Sequence, residues 1–156
     1  MTTEIGNIGE QLVNQWLQSQ SYCILERSWH CRWGEIDIIA QKKDNSTLVF
    51  VEVKTRGSSN WDCDGKDAIS PLKQEKISRS AALFLAQNTQ YVDCYMRFDV
   101  ALVQYKLDRD RQLEISWNKR SLFQQNKYLS SNRSIKTANG FQFTIIDYLE
   151  NAFDTY

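Results

Sequence analysis

Two short arms, GEIDIIA (residues 34–40) and LVFVEVKTR (residues 48–56), flank a polar stretch and frame the rest of the chain. Both are rich in Ile and Val and bounded by turn residues, which predicts adjacent antiparallel strands. Strand side chains alternate between faces. Glu35, Asp37 and Ile39 are therefore expected on one face, with Ile36, Ile38 and Ala40 on the other. In the second arm Phe50, Glu52 and Lys54 share a face, opposite Val49, Val51 and Val53. A turn centred on Asp44–Asn45 sets Asp37 across from Glu52 and Glu35 across from Lys54.

The remaining elements follow in order. From Thr3 to Ser19, Ile8, Leu12, Val13, Trp16 and Leu17 recur at helical spacing, which predicts an amphipathic helix packed on a sheet, with Thr3 as its N-cap. Gly6 and Gly9 are poor helix formers and point to close approach of a sheet backbone or a ligand. Tyr22–Arg27 reads as a first strand ending near Ser28. Gly57–Asp67 is a polar loop around Trp61. Ser70–Pro71 is a helix start, with Ser as cap and Pro at the first position; the helix runs to Asn88 and buries Ile77, Ala81, Phe84 and Leu85. Met96–Tyr105 is a strand with Phe98, Val100 and Leu102 on one face and Arg97, Asp99 and Ala101 on the other. Asp108–Arg111 is a charged turn and Leu113–Trp117 a returning edge strand. Residues 118–140 have weak periodicity and read as a basic, mobile insertion. Phe141–Phe153 returns to the sheet. With no repeat and no linker, 156 residues imply a single domain over 1–156.

Two carboxylates facing each other across a ladder repel. A divalent cation removes that penalty, because Mg²⁺ is held by one or two carboxylates plus phosphate oxygens. The competing reading is a half-exposed hairpin whose charges are simply solvated. Lys+Arg and Asp+Glu balance at 19 each, yet residues 70–139 carry 12 basic and 6 acidic side chains, and no acid lies between Ile115 and Ile146. That asymmetry permits a local phosphate-binding surface. In the run Trp29–His30–Cys31–Arg32–Trp33, the tryptophans either stack on bases or cap the core edge. His30 is the only histidine, which excludes a metal cluster built from several histidines. The four cysteines show no CxxC spacing and are expected as reduced thiols. No apolar run approaches membrane-spanning length, and MTTEIGNIGE lacks the features of a signal peptide, so a cytoplasmic protein with no membrane partner is expected.

Helix, strand, strand, strand, helix, strand with E…D…ExK is the layout of the PD-(D/E)XK nuclease superfamily. More narrowly, Gly6-x-x-Gly9-Glu10, Arg27-x-Trp29, GEIDIIA, FVEVKTR, Ser70-Pro71-x-Lys73, Arg97-Phe98-Asp99 and Asn151-Ala152-Phe153 resemble the YraN-like family of bacterial proteins. The resemblance covers most of residues 5–105 and the last dozen. It implies an α/β fold, a restriction-endonuclease-like mixed sheet flanked by helices, akin to Holliday-junction resolvases. Carried onto matching positions, it makes Asp37 and Glu52 metal-binding carboxylates, with the Val53 carbonyl and Glu10 as further ligands of Mg²⁺ or Mn²⁺. Lys54 then orients or activates water, or stabilises charge on the phosphate. Ser28 and His30 depart from the expected Asn and Arg.

These residues lead to the expectation of a metal-dependent endonuclease acting on DNA phosphodiester bonds, in branched or damaged DNA. Glu10, Asp37, Glu52 and Lys54 are its catalytic set, and Arg56, Lys73, Lys76 and Arg79 its nucleic-acid contacts. The alternatives are a non-cleaving nucleic-acid-binding module and a protein-interaction scaffold on the same fold. Paired symmetric cuts require a homodimer; an exposed face of the C-terminal segment is the candidate interface.

Overall fold

The computed structural model describes residues 2–58, 69–108 and 133–154. Trp61, the strand expected at Leu113–Trp117 and most of the 118–140 insertion lie outside the described residues. The elements are α1 (Thr2–Ser19), β1 (Tyr22–Cys31), β2 (Gly34–Lys42), β3 (Thr47–Gly57), α2 (Pro71–Gln87), a 3-10 turn at Thr89–Tyr91, β4 (Tyr95–Leu107), β5 (Ser134–Lys136) and β6 (Phe141–Leu149). They build a six-stranded mixed sheet in the order β1-β2-β3-β4-β6-β5. Only β3 and β4 run parallel, joined through α2; the other neighbours are antiparallel. This is an α/β sheet flanked by helices, consistent with a restriction-endonuclease-like arrangement.

Three boundaries differ from expectation. The first helix starts at Thr2, so Thr3 is not its cap. β1 runs through to Cys31 rather than ending near Ser28, because Trp29, His30 and Cys31 continue to pair with β2. Residues 133–140, expected within a mobile insertion, are built into the sheet as β5 and the turn before β6. Its anchor is Ser134, whose hydroxyl donates to the Phe143 carbonyl at 3.0 Å.

Each face of the sheet carries its own core. Leu12, Val13, Trp16 and Leu17 of α1 pack on Ile38, Ala40, Val49, Val51, Ala101 and Val103. Ile77, Ala81 and Phe84 of α2 pack on Ile39, Phe50, Phe98, Val100 and Leu102. Burying such side chains gives roughly 1.5–3 kcal/mol each before the entropy of ordering them is set against it. Trp29 joins the second core edge-on to Phe84, with ring centroids 5.6 Å apart. Among the described residues no helix is long and apolar enough to cross a membrane.

One charged pair sits inside this apolar frame. Asp99 is fully buried. Its carboxylate receives Arg97 Nε at 2.9 Å, Arg97 Nη2 at 2.9 Å, the Tyr148 hydroxyl at 2.7 Å and the Asn151 N–H at 2.9 Å. Burial, with Asp99 beside it, pushes the Tyr148 hydroxyl well above its ordinary range, so it stays a donor. Asn151 takes φ of 51° to deliver its N–H, a left-handed conformation Asn tolerates better than most residues. Phe153 then stacks on Phe98 with centroids 5.0 Å apart. The motifs Arg97-Phe98-Asp99 and Asn151-Ala152-Phe153 are thus two halves of one clamp.

Removing one partner of a buried pair leaves an uncompensated charge. Arg97→Met is expected to cost about 3–5 kcal/mol in urea unfolding. Arg97 also meets Glu150, which is largely exposed, at 3.2 Å; Glu150→Gln is expected to cost no more than ~1 kcal/mol. Equal losses would show that the buried half of the network is not the part that holds the fold.

Candidate active site

β2 and β3 pair from Gln41↔Leu48 to Ile38↔Val51, the register expected for a turn at Asp44–Asn45. Asn45 supplies the left-handed turn residue at φ 60°, and Asp44 Oδ1 accepts the Ser46 N–H at 2.9 Å. One further step would set Asp37 against Glu52. The ladder stops short of it. Instead the Val53 N–H donates to Asp37 Oδ2 at 2.7 Å, so the carboxylate takes the place of a strand carbonyl between β2 and β3.

On the other side of β2, Arg27↔Ile38 and Trp29↔Ile36 bracket Ser28 and Asp37 without a change of register, and Ser28 has φ of 46°. The register shift of β1 against β2 lies earlier, between Ile24 and Glu26. Alternation of faces along β2 breaks at Asp37, where the β3 ladder has ended. Ile36 packs with Ile39 and Phe50 on the α2 side, while Ile38 and Ala40 lie on the α1 side. The expectation that Ile36 shares a face with Ile38 and Ala40 is overturned, because a strict count of two does not carry past the point where β2 leaves the β3 ladder.

Glu52 is buried on β3 and paired with two lysines. Its Oε1 lies 2.9 Å from Lys54 Nζ, and its Oε2 3.2 Å from Lys73 Nζ. The second contact lacks hydrogen-bond alignment: Oε2 is shut off from water without a hydrogen-bond partner. Lys73 arrives from the first turn of α2, where Pro71 opens the helix and the Ser70 hydroxyl accepts the Lys73 N–H at 3.3 Å. Glu10 arrives from α1, and its Oε2 accepts the Ser28 hydroxyl at 3.3 Å. Gly9 lets α1 rest on β3 at this point, since a Cβ there would stand 2.0 Å from Thr55 Oγ1 and 3.1 Å from Thr55 Cβ. Gly6, by contrast, faces open space.

The charges are out of balance. Burial, and then the charge of Glu52, push Asp37 up to about 7 against the Val53 hydrogen bond. Burial also raises Glu10, opposed by the Ser28 hydroxyl and reinforced by Glu35. Among the described residues no group of three or more His, Cys, Asp or Glu side chains is placed to hold a metal ion as it stands. Asp37 and Glu52 remain two hard oxygen donors from neighbouring strands, a set suited to Mg²⁺ when phosphate oxygens and water complete the shell.

Of the other expected site residues, Val53 is half-buried beside the α1 core and gives its N–H to Asp37. Arg56 is exposed at the end of β3, and Lys76 and Arg79 are exposed on α2. Lys73, expected only as a nucleic-acid contact, is brought onto Glu52; the Ser70–Pro71 start that fixes it was visible in the sequence. Ser28, noted only as a departure, holds Glu10. His30 pairs with Glu35 at 3.3 Å.

Residues 9–103 match the model of a family described as uncharacterised protein family UPF0102. A UPF0102 protein of Acaryochloris marina is 43% identical over 157 residues, covering 96% of this chain and 90% of the relative. One of Trichormus variabilis is 41% identical, covering 96% and 94%. One of a Nostoc species is 53% identical over 105 residues, covering 65% and 75%.

A carboxylate whose folded pKa is raised contributes most stability at low pH, and loses it as pH climbs from the ordinary carboxylate range through about 7. Asp37→Asn keeps an oxygen for the Val53 N–H and removes the charge. The variant is expected to be more stable than the parent by ~1–3 kcal/mol at pH 8, with the gain fading towards pH 5; urea unfolding at both values checks it. Gly9→Ala is expected to destabilise by about 1–3 kcal/mol, and Thr55→Ala to recover part of that loss. Additive effects in the double-mutant cycle would contradict the close contact.

Proposed function

The chain belongs to the uncharacterised protein family UPF0102, and from the site at the β2–β3 divergence we propose that it is a metal-dependent nuclease hydrolysing DNA phosphodiester bonds. One observation carries the reading. Asp37 and the buried Glu52 lie on adjacent strands, close enough for the charge of Glu52 to raise Asp37, and Lys54 and Lys73 both pair with Glu52.

In this reading Asp37 and Glu52 hold Mg²⁺ or Mn²⁺, with Glu10 and the Val53 carbonyl available to complete the shell. A bound ion would supply Lewis acidity and lower the pKa of a coordinated water. The Val53 N–H holds Asp37 in a single orientation. Lys54, anchored by Glu52, stabilises charge that develops on the scissile phosphate. Glu10, held half-buried by Ser28, sits beside Asp37 and Glu52 and strengthens the local field for a cation. Arg56, Lys76 and Arg79 supply phosphate contacts outside the pocket. No covalent intermediate is needed.

A second reading rests on the same geometry. Lys54 and Lys73 already occupy the cation side of Glu52, which suits a module that binds nucleic acid without cutting it.

The test is cleavage of labelled linear, single-stranded and four-way-junction DNA in Mg²⁺ or Mn²⁺. Wild type is expected to cut, Asp37→Asn to abolish cutting, and Lys54→Met to slow it by about 10²–10³-fold. The metal is also expected to raise the Tm of wild type, as any ligand selective for the folded state does, and to leave Asp37→Asn unmoved. DNA that shifts on a gel but stays intact would leave the non-cleaving module.

A further inference from the structure

The turn between β1 and β2 carries a second cluster of cations, distinct from the carboxylate pocket. The guanidinium of Arg32 lies 4.9 Å from the Trp33 ring centroid, and that of Arg79 lies 4.7 Å from it. These arginines come from elements far apart in the chain. Their meeting point is fastened: Cys31 Sγ donates to the hydroxyl of the fully buried Ser80 at 3.2 Å, and the Trp33 N–H donates to Cys31 Sγ at 3.4 Å. The β1–β2 turn is thereby pinned to α2, with both arginines exposed.

Stacking on an indole uses the flat face of a guanidinium and leaves its in-plane N–H donors free to grip a phosphate through two bonds. Along α2, Lys73, Lys76 and Arg79 recur every three residues and form one stripe. It starts at Glu52, which Lys73 touches at 3.2 Å, and ends at Trp33. Six residues of helix span about 9 Å, and one DNA strand advances ~3.4 Å per phosphate along its axis. The stripe is therefore some two to three phosphates long. Its acid is Glu75, which pairs with Arg79 at 2.5 Å with both side chains half exposed. Such surface pairs are weak and yield to a phosphate.

Resting on the nuclease reading of the neighbouring pocket, we propose that Arg32, Trp33 and Arg79 form a phosphate clasp. It holds the DNA backbone two to three nucleotides from the bond presented to Asp37 and Glu52. Trp33 is the positioning residue, and the two arginines make the contacts.

The test measures binding of labelled duplex and four-way-junction DNA by anisotropy in EDTA, between 50 and 200 mM salt. Arg32→Ala/Arg79→Ala is expected to weaken binding about ten-fold or more and to reduce the salt slope by about 2. Lys42→Ala/Lys43→Ala, equal in charge but on the far hairpin, is expected to change binding little. Trp33→Ala removes no charge and is expected to weaken binding several-fold, with Trp33→Phe restoring part of it. Circular dichroism melts establish that each variant folds. Matching effects from the two double variants, absence of DNA binding by wild type at 50 mM salt, or equal binding of poly-glutamate would each overturn the clasp. Cutting that needs Asp37 while Arg32→Ala/Arg79→Ala binds normally would sink the clasp and spare the nuclease reading. Binding lost in that variant without cutting by wild type would spare the clasp and sink the nuclease.

Discussion

The hydrogen bond from Val53 to Asp37 governs the local architecture. Where β2 leaves β3, a backbone N–H loses its ladder partner, and a buried amide without a partner is costly. Asp37 meets that need with a carboxylate, which couples a structural requirement to a chemical one. The group that seals the end of the ladder is also the one held against Glu52. Neither role can be separated from the divergence of the strands, which sets in at Asp37, opposite the left-handed Ser28 on β1. The Ser28 hydroxyl in turn holds Glu10, so one irregular residue organises contributions from α1, β1 and β2.

The two helices supply the rest by different means. α1 reaches the site through the absence of a side chain at Gly9, which lets the helix lie against Thr55. α2 reaches it through a fixed starting point, since the Ser70 cap and Pro71 set the rotation of the first turn and hence the reach of Lys73. The apolar cores on the two faces hold both helices against a sheet whose middle strands are paired on both sides. Carboxylates and cations therefore meet at the divergence from elements that cannot easily shift relative to one another.

Much of this was legible from pattern. Val and Ile alternation located β2, β3 and β4, and the register between β2 and β3 followed from Asp44–Asn45. Ser70–Pro71 located α2, and the seven motifs led to the family. Four things escaped. The end of the β2–β3 ladder at Ile38 has no local signal, so the face of Ile36 was misassigned. Lys73 lies far from Glu52 in sequence, and only the packing of α2 brings them together. Arg97 and Asp99 were visible as a pair on one face, but their partners Tyr148 and Asn151 are fixed by the return of β6. The run around Trp33 was split by tertiary context, with Trp29 in the core and Trp33 at the surface.

The clamp on Asp99 has a consequence for synthesis. The Tyr148 and Asn151 donors follow Asp99 by 49 and 52 residues. At about 5–20 residues per second, the ribosome needs roughly 3–10 s to supply them once Asp99 has been made. During that interval the central strand carries a carboxylate that has Arg97 but only half its donors, and β4 still lacks β6 as a neighbour. A sheet closed around β1–β4 alone would bury the Asp99 carboxylate short of its Tyr148 and Asn151 donors, a cost that only the later segment removes.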